Sequence, residues 1–354
     1  MKKRILSSLL LSLGTVLLAT LAALPAGAAK KETKPSASQP TDLVWPLPPD
    51  KPRVRYLREY SNNLDIEPRK KRSMIDKMVG NPDPNRLELF AKPAGIATDS
   101  RGRMIFASLQ NSVVYILQPE AHKVSRLQGG RGIVLQTPLG VAVDAKDNIF
   151  VSDPLQHLIF KFDKDGNLLS SLGTAEGIKN PTFLAIDEVR RRLYVVDSHL
   201  HQVLVYNVDT LQFMDKFGAR GEKKGEFNYP VGIAVSKDGT IAVSDTGSCS
   251  VQLFTPEFKF IRRFGRRGTR PGEFTRPKAV AFDKEGHVWV VDAAFNNVQI
   301  FNDNGVVLMP LGAFGNTPGA FNLPLGIYID TTDKVYVTDQ LNHRVQIFQF
   351  LGGN

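Results

Sequence analysis

The chain has 354 residues, 42% of them hydrophobic, which excludes wholesale disorder and allows one large or two medium domains. Its 45 Lys and Arg against 35 Asp and Glu give a formal charge of +10, which favours acidic partners. A single cysteine, Cys249, excludes an internal disulfide, and the lack of a CxxCH motif excludes covalently attached haem.

The first 28 residues read as a signal peptide. Lys2, Lys3 and Arg4 precede an apolar stretch from Leu9 to Leu24, and Ala26-Gly27-Ala28 supplies the small-residue cleavage pattern. Export to the periplasm or the extracellular space is therefore expected, and the charge left after cleavage is about +7. Export argues against nucleic acid as the partner. No later segment is long and apolar enough to make the mature chain transmembrane.

Residues 29–51 form a proline-rich extended arm, with Trp45 expected to anchor it on the outside of the fold. Residues 52–61, "PRVRYLREYS", alternate like a strand and lie outside any repeat. At 73–80, Ser73 and Asp76 have capping-box spacing and Gly80 is a stop signal, which predicts a short helix with Met74, Ile75, Met78 and Val79 on its apolar face.

From residue 92 one pattern recurs six times: "KPAGIATD", "TPLGVAVD", "NPTFLAID", "YPVGIAVS", "RPKAVAFD" and "LPLGIYID". The prolines, Pro93, Pro138, Pro181, Pro230, Pro277 and Pro324, are spaced by 45, 43, 49, 47 and 47 residues, the period of one propeller blade. Within each repeat a short strand follows the proline. After a polar turn comes a second strand such as "VWVVD", then a third such as "VQIF", then a more polar fourth. The predicted fold class is all-β: a six-bladed β-propeller of four-stranded antiparallel blades over 52–354. The sixth repeat ends after its third strand, so the N-terminal strand at 52–61 is predicted to complete the last blade. The joints "FGARGEKKGEFNYP", "FGRRGTRPGEFTRP" and "LGAFGNTPGAFNLP" place glycines in register and carry Phe227, Phe274 and Phe321, expected to wedge between blades.

The segment "DQLNHRVQIF" at 339–348 resembles the signature of NHL-repeat proteins, with weaker copies at 197, 245 and 292 and a departure in the first repeat, where Ser108 replaces the aspartate. The resemblance covers about residues 90–350 and implies a propeller whose signature residues are structural. The arm plus "RVRYLREY" is similar to secreted bacterial six-bladed NHL proteins, some of which accompany multihaem cytochromes. The related peptidyl-hydroxyglycine lyase holds metal through histidines just after the repeat-opening proline. Here those slots hold Ala94, Leu139, Thr182, Val231, Lys278 and Leu325, so no metal and no other cofactor is expected.

Asp153, Asp197, Asp245, Asp292 and Asp339 end the second strands and are expected to hydrogen-bond the turn that follows in their own blade. His157, His201 and His343 fall in or beside the signature and read as structural. No GxSxG, HExxH or phosphate loop occurs. The one asymmetry is basic: Arg220, Lys223, Lys224, Arg266, Arg267, Arg270, Arg276 and Lys278 cluster on the joints around blade 4, with Tyr229 beside them. These residues are the candidate binding site for a protein or an acidic envelope polymer. The expected function is a binding scaffold without catalysis. The alternative is a metal-dependent propeller enzyme of the lyase or lactonase type, with its site in the central channel.

Overall fold

The computed structural model describes residues 43–67, 85–127, 134–173, 175 and 177–352. The chain divides into two units, 1–41 and Asp42–Asn354, and all described residues belong to the second. The predicted signal peptide, the start of the arm and the predicted helix at 73–80 lie outside the described residues.

Six antiparallel sheets are present, and in five of them the strands pair in chain order. Blade 1 runs from Pro93–Thr98 through Met104–Ser108 and Val113–Gln118 to Lys123–Arg126. Blades 2 to 5 open with Val141–Val143, Pro181–Asp187, Pro230–Val235 and Pro277–Phe282. They close with Leu168–Leu172, Phe213–Phe217, Phe260–Phe264 and Val307–Leu311. The first strand of each blade touches the first strands of both neighbouring blades, in a cycle that returns from blade 6 to blade 1. These six inner strands therefore surround an axis. Five of them begin at the repeat proline, which has no N–H to leave unpaired at a strand start, and a register shift follows each of those prolines.

Blade 6 opens with Pro324–Ile329, Lys334–Asp339 and Arg344–Phe350, and its next strand is Val54–Tyr60, from the other end of the chain. Val54 pairs with Phe350 and Tyr60 with Val345, which closes the ring. A fifth strand, Val44–Trp45, adds to the outside, so this sheet is one strand wider than expected. The Trp45 ring meets Phe348 edge-on at 5.8 Å.

Phe227, Phe274 and Phe321 are fully buried, as wedges should be. Phe227 contacts Phe217, which ends blade 3, and Phe254 in blade 4. The glycine beginning each joint has positive φ: +89° at Gly218, +82° at Gly265 and +84° at Gly312. A Cβ at Gly265 would lie 2.3 Å from the Phe274 ring, so both the backbone twist and the space demand glycine.

Candidate binding face and axial channel

The strand-ending aspartates are wholly buried, and each binds backbone N–H groups. Asp153 accepts from Gln136 and Thr137 in the loop before its own blade, and from Gln156 in the following turn. Asp197 and Asp292 repeat the arrangement with Lys179 and Asn180, and with Thr275 and Arg276. The structural role holds, but the aspartate's reach is wider than expected, because it ties the incoming joint as well as the following turn. In the signature itself, Asn342 donates to Asp339 and to the Gly315 carbonyl, and Arg344 donates to Asp339 at 2.9 Å. Burial raises the Asp245 and Asp339 carboxyls above the usual range.

His157, His201, Cys249, Asn296 and His343 occupy one equivalent position, each with φ between +51° and +57°. His201 Nδ1 accepts from the Tyr229 N–H at 3.1 Å, and Asn296 accepts from the Leu323 N–H at 2.7 Å, so both side chains tie the start of the next blade. Burial lowers the His201 pKa, and the Arg220 charge adds to this. The Cys249 thiol is buried and its pKa is raised by that burial, the environment of an inert rather than a reactive thiol.

The joints between blades and the turns before the third strands lie on one face, where the inner strands begin. Arg220, Lys223, Lys224, Arg266, Arg267, Arg270, Arg276 and Tyr229 are all exposed there. Arg266 is committed to Glu273 at 2.9 Å, and Lys224 lies over the Phe260 ring at 5.8 Å. The side chains of Lys223, Arg267 and Arg270 have no ion-pair or hydrogen-bond partner among the described residues. Of the aromatic and apolar members of this face, sequence reasoning named Tyr229 and missed Phe314, Phe295 and Leu341. Phe314, at the joint position equivalent to Arg220 and Arg267, is 73% exposed, Tyr229 is 49% exposed, and Phe295 and Leu341 protrude from neighbouring turns.

Lys278 stands apart from these loop residues. It lies on the inner strand of blade 5, partly buried, with its carbonyl accepting from Ser244 of blade 4. Gly232 makes this closeness possible, since a Cβ there would lie 2.3 Å from the Lys278 carbonyl oxygen. Burial, with Arg276 adding a like charge, pulls the Lys278 ammonium down to about 8. Beyond Lys278, toward the opposite face, a cavity of about 240 Å³ occupies the axis, walled by all six inner strands. Its lining side chains are mostly aliphatic, with Ile96, Val141, Phe183, Ile233, Val280 and Ile327 each contributed by a different blade, but polar atoms make up more than half of its surface. Among the described residues no three His, Cys, Asp or Glu side chains are grouped to hold a metal. The proline-adjacent slots offer aliphatic groups, one hydroxyl and one ammonium, which do not fit a metal ion. No helix among the described residues is long and apolar enough to cross a membrane.

These features define a six-bladed β-propeller with a basic, partly aromatic loop face and a narrow axial cavity. Within it, residues 227–254 and 321–348 match the NHL repeat model, so the chain is a propeller that carries NHL repeats. The protein brain tumor of Drosophila melanogaster is 31% identical over 122 residues, 33% of this chain and 11% of that protein. The chain spans 8–17% of the length of the relatives it matches. Among solved structures, virginiamycin B lyase from Staphylococcus aureus superposes with a TM-score of 0.55 at 14% identity, covering 77% of this chain and 83% of the lyase. A gluconolactonase from Xanthomonas campestris superposes with a TM-score of 0.56 at 17% identity, covering 73% of this chain and 86% of the lactonase. The expectation that the protein is not an enzyme does not survive this comparison. It rested on the absence of metal-ligating histidines and of familiar catalytic motifs, and the same architecture is that of a lyase and a lactonase.

Proposed function

We propose that the protein is an exported propeller that binds an acidic macromolecule, most simply a protein, on its loop face around blades 4 to 6. The carrying observation is the mixture of unpaired cations, Lys223, Arg267 and Arg270, with exposed Tyr229, Phe295 and Phe314 on one face. Arginine and aromatic residues together are the usual content of binding hot spots, because they combine bidentate charge recognition with large apolar area. Export is supported by the basic, apolar and small-residue order of the first 28 residues. The test is capture of partners from the native envelope, using the wild type and a Lys223→Glu, Arg267→Glu, Arg270→Glu variant. These side chains make no hydrogen bond or ion pair among the described residues, so folding should persist while capture falls at least tenfold. Capture by the wild type should also weaken steeply with salt. Equal capture by the folded variant overturns the proposal.

A second reading, catalysis from the axial channel, is favoured by Lys278. A lysine whose ammonium is brought near 8 by burial is suited to act as a base or nucleophile.

A further inference from the structure

We propose that the loop face takes one extended peptide segment carrying acidic side chains next to an apolar one. The acids lie over the joint between blades 4 and 5, and the apolar residue lies over the joint between blades 5 and 6. This rests on the loop-face reading above and names the chemistry of its ligand.

The acidic half is set by a shallow hollow of about 380 Å³ at the joint between blades 4 and 5, with Arg263, Arg266, Arg270 and Glu273 in its lining. Its one carboxylate is already engaged. Glu273 Oε1 accepts from Arg266 at 2.9 Å, and Oε2 accepts from the Thr269 and Arg270 N–H groups, each at 3.1 Å. Arg263 is held by neutral acceptors, the Ser250 hydroxyl and the Glu222 carbonyl, both at 2.9 Å. The Arg270 side chain has no hydrogen-bond or ion-pair partner among the described residues. Three guanidinium groups against one carboxylate leave the hollow with a net charge of +2. An incoming carboxylate gains charge-assisted hydrogen bonds from donors that are partly fixed in advance.

The apolar half is set by the next joint, which has the same backbone and opposite side chains. The Phe274 N–H donates to the Arg266 carbonyl and the Phe321 N–H to the Ala313 carbonyl, both at 2.8 Å. Arg267 and Phe314 each bridge to the wedge phenylalanine of their own joint. Yet Arg266, Arg267, Arg270 and Glu273 are replaced by Ala313, Phe314, Thr317 and Ala320, and residues 311–323 include no charged side chain. The exposed Phe314 ring therefore stands where its neighbour joint has a guanidinium.

The turn of blade 5 links the two halves. The Ala293 N–H donates to the Arg276 carbonyl at 3.1 Å, where the first joint ends. Asn296 accepts from the Leu323 N–H at 2.7 Å, where the second ends. Phe295 is exposed between these two anchors. A uniformly acidic polymer leaves Phe295 and Phe314 unmatched, and a uniformly apolar segment leaves the arginines unmatched. A peptide with both kinds of side chain matches both, which favours a protein partner over a polyanion.

The experiment selects a phage-displayed library of short random peptides on the full chain. Enriched peptides should share acidic residues on one side of an aromatic or large aliphatic residue, and a synthetic consensus peptide should bind once per chain. Arg270→Glu should weaken that peptide at least tenfold and Phe314→Ala at least fivefold. Both side chains are exposed, so both variants should melt with the wild type. Changing the peptide's acids to glutamine should abolish the effect of Arg270→Glu, and changing its apolar residue to serine should abolish the effect of Phe314→Ala. A purely acidic consensus that Phe314→Ala binds as well as the wild type overturns the two-part ligand while leaving a basic loop-face site standing. No enrichment, or a consensus peptide bound equally by wild type and Arg270→Glu, overturns the proposal outright.

Discussion

Arg344 is 4% exposed and donates five hydrogen bonds: to Asp339, to Glu59 in the closing strand, and to the carbonyls of Asn316, Thr317 and Ala320. All its donors are matched, so the pair it forms with the fully buried Asp339 is well solvated by protein. Asp339→Ala removes the carboxylate while leaving the guanidinium in place, and should cost about 3 kcal/mol, read as a lowered urea midpoint. Asp339→Asn, which keeps an acceptor, should cost less. Lys278 gives a different residue-scale expectation. Its folded pKa, about 8, lies below its ordinary value of 10.5. Across that window the unfolded chain holds the extra proton, so stability rises with pH. Wild type should therefore gain melting temperature relative to Lys278→Leu as pH rises from about 8 to about 10.5. Parallel curves for the two proteins would contradict a desolvated ammonium.

The blade is the element that the sequence displays best. Its period, its opening proline and its wedge phenylalanine are local features, and each reflects a contact made in every repeat. The strand at Val54–Tyr60 was legible by the same logic, since a last repeat without an outer strand needs one from elsewhere. The added strand Val44–Trp45 was not, because two residues between prolines carry no alternation to read. The full set of donors to the aspartates was also hidden, since they come from a joint 16 to 18 residues upstream. A test at this scale is Gly265→Ala. The new methyl meets the Phe274 ring and must adopt positive φ, so a loss of about 1–3 kcal/mol is expected by chemical denaturation. Gly286→Ala also sits at positive φ but has nothing within 4 Å, and should lose less.

For the whole molecule, the sequence displayed the basic residues but not how they are divided. Charges on consecutive joints look like one cluster along the chain. The ring separates them into exposed loop groups and Lys278 on the axis, a distinction made by the inner strand's position. The exposed Phe314 and Phe295 could not be told in advance from wedge aromatics, because composition does not reveal which side of a joint a ring faces. Closure of the ring has its own consequence for how the protein comes into being. Glu59 and Arg344 are separated by 285 residues, so the strand Val54–Tyr60, which has only the two-residue Val44–Trp45 on its other side, cannot join its blade until the strands of blade 6 have been made. Pairing over so long a separation is slow to nucleate, and an unfinished ring presents open sheet edges to other chains. The last sheet thus acts as a latch, since the ring hides its edges only once Val54–Tyr60 has paired with Arg344–Phe350.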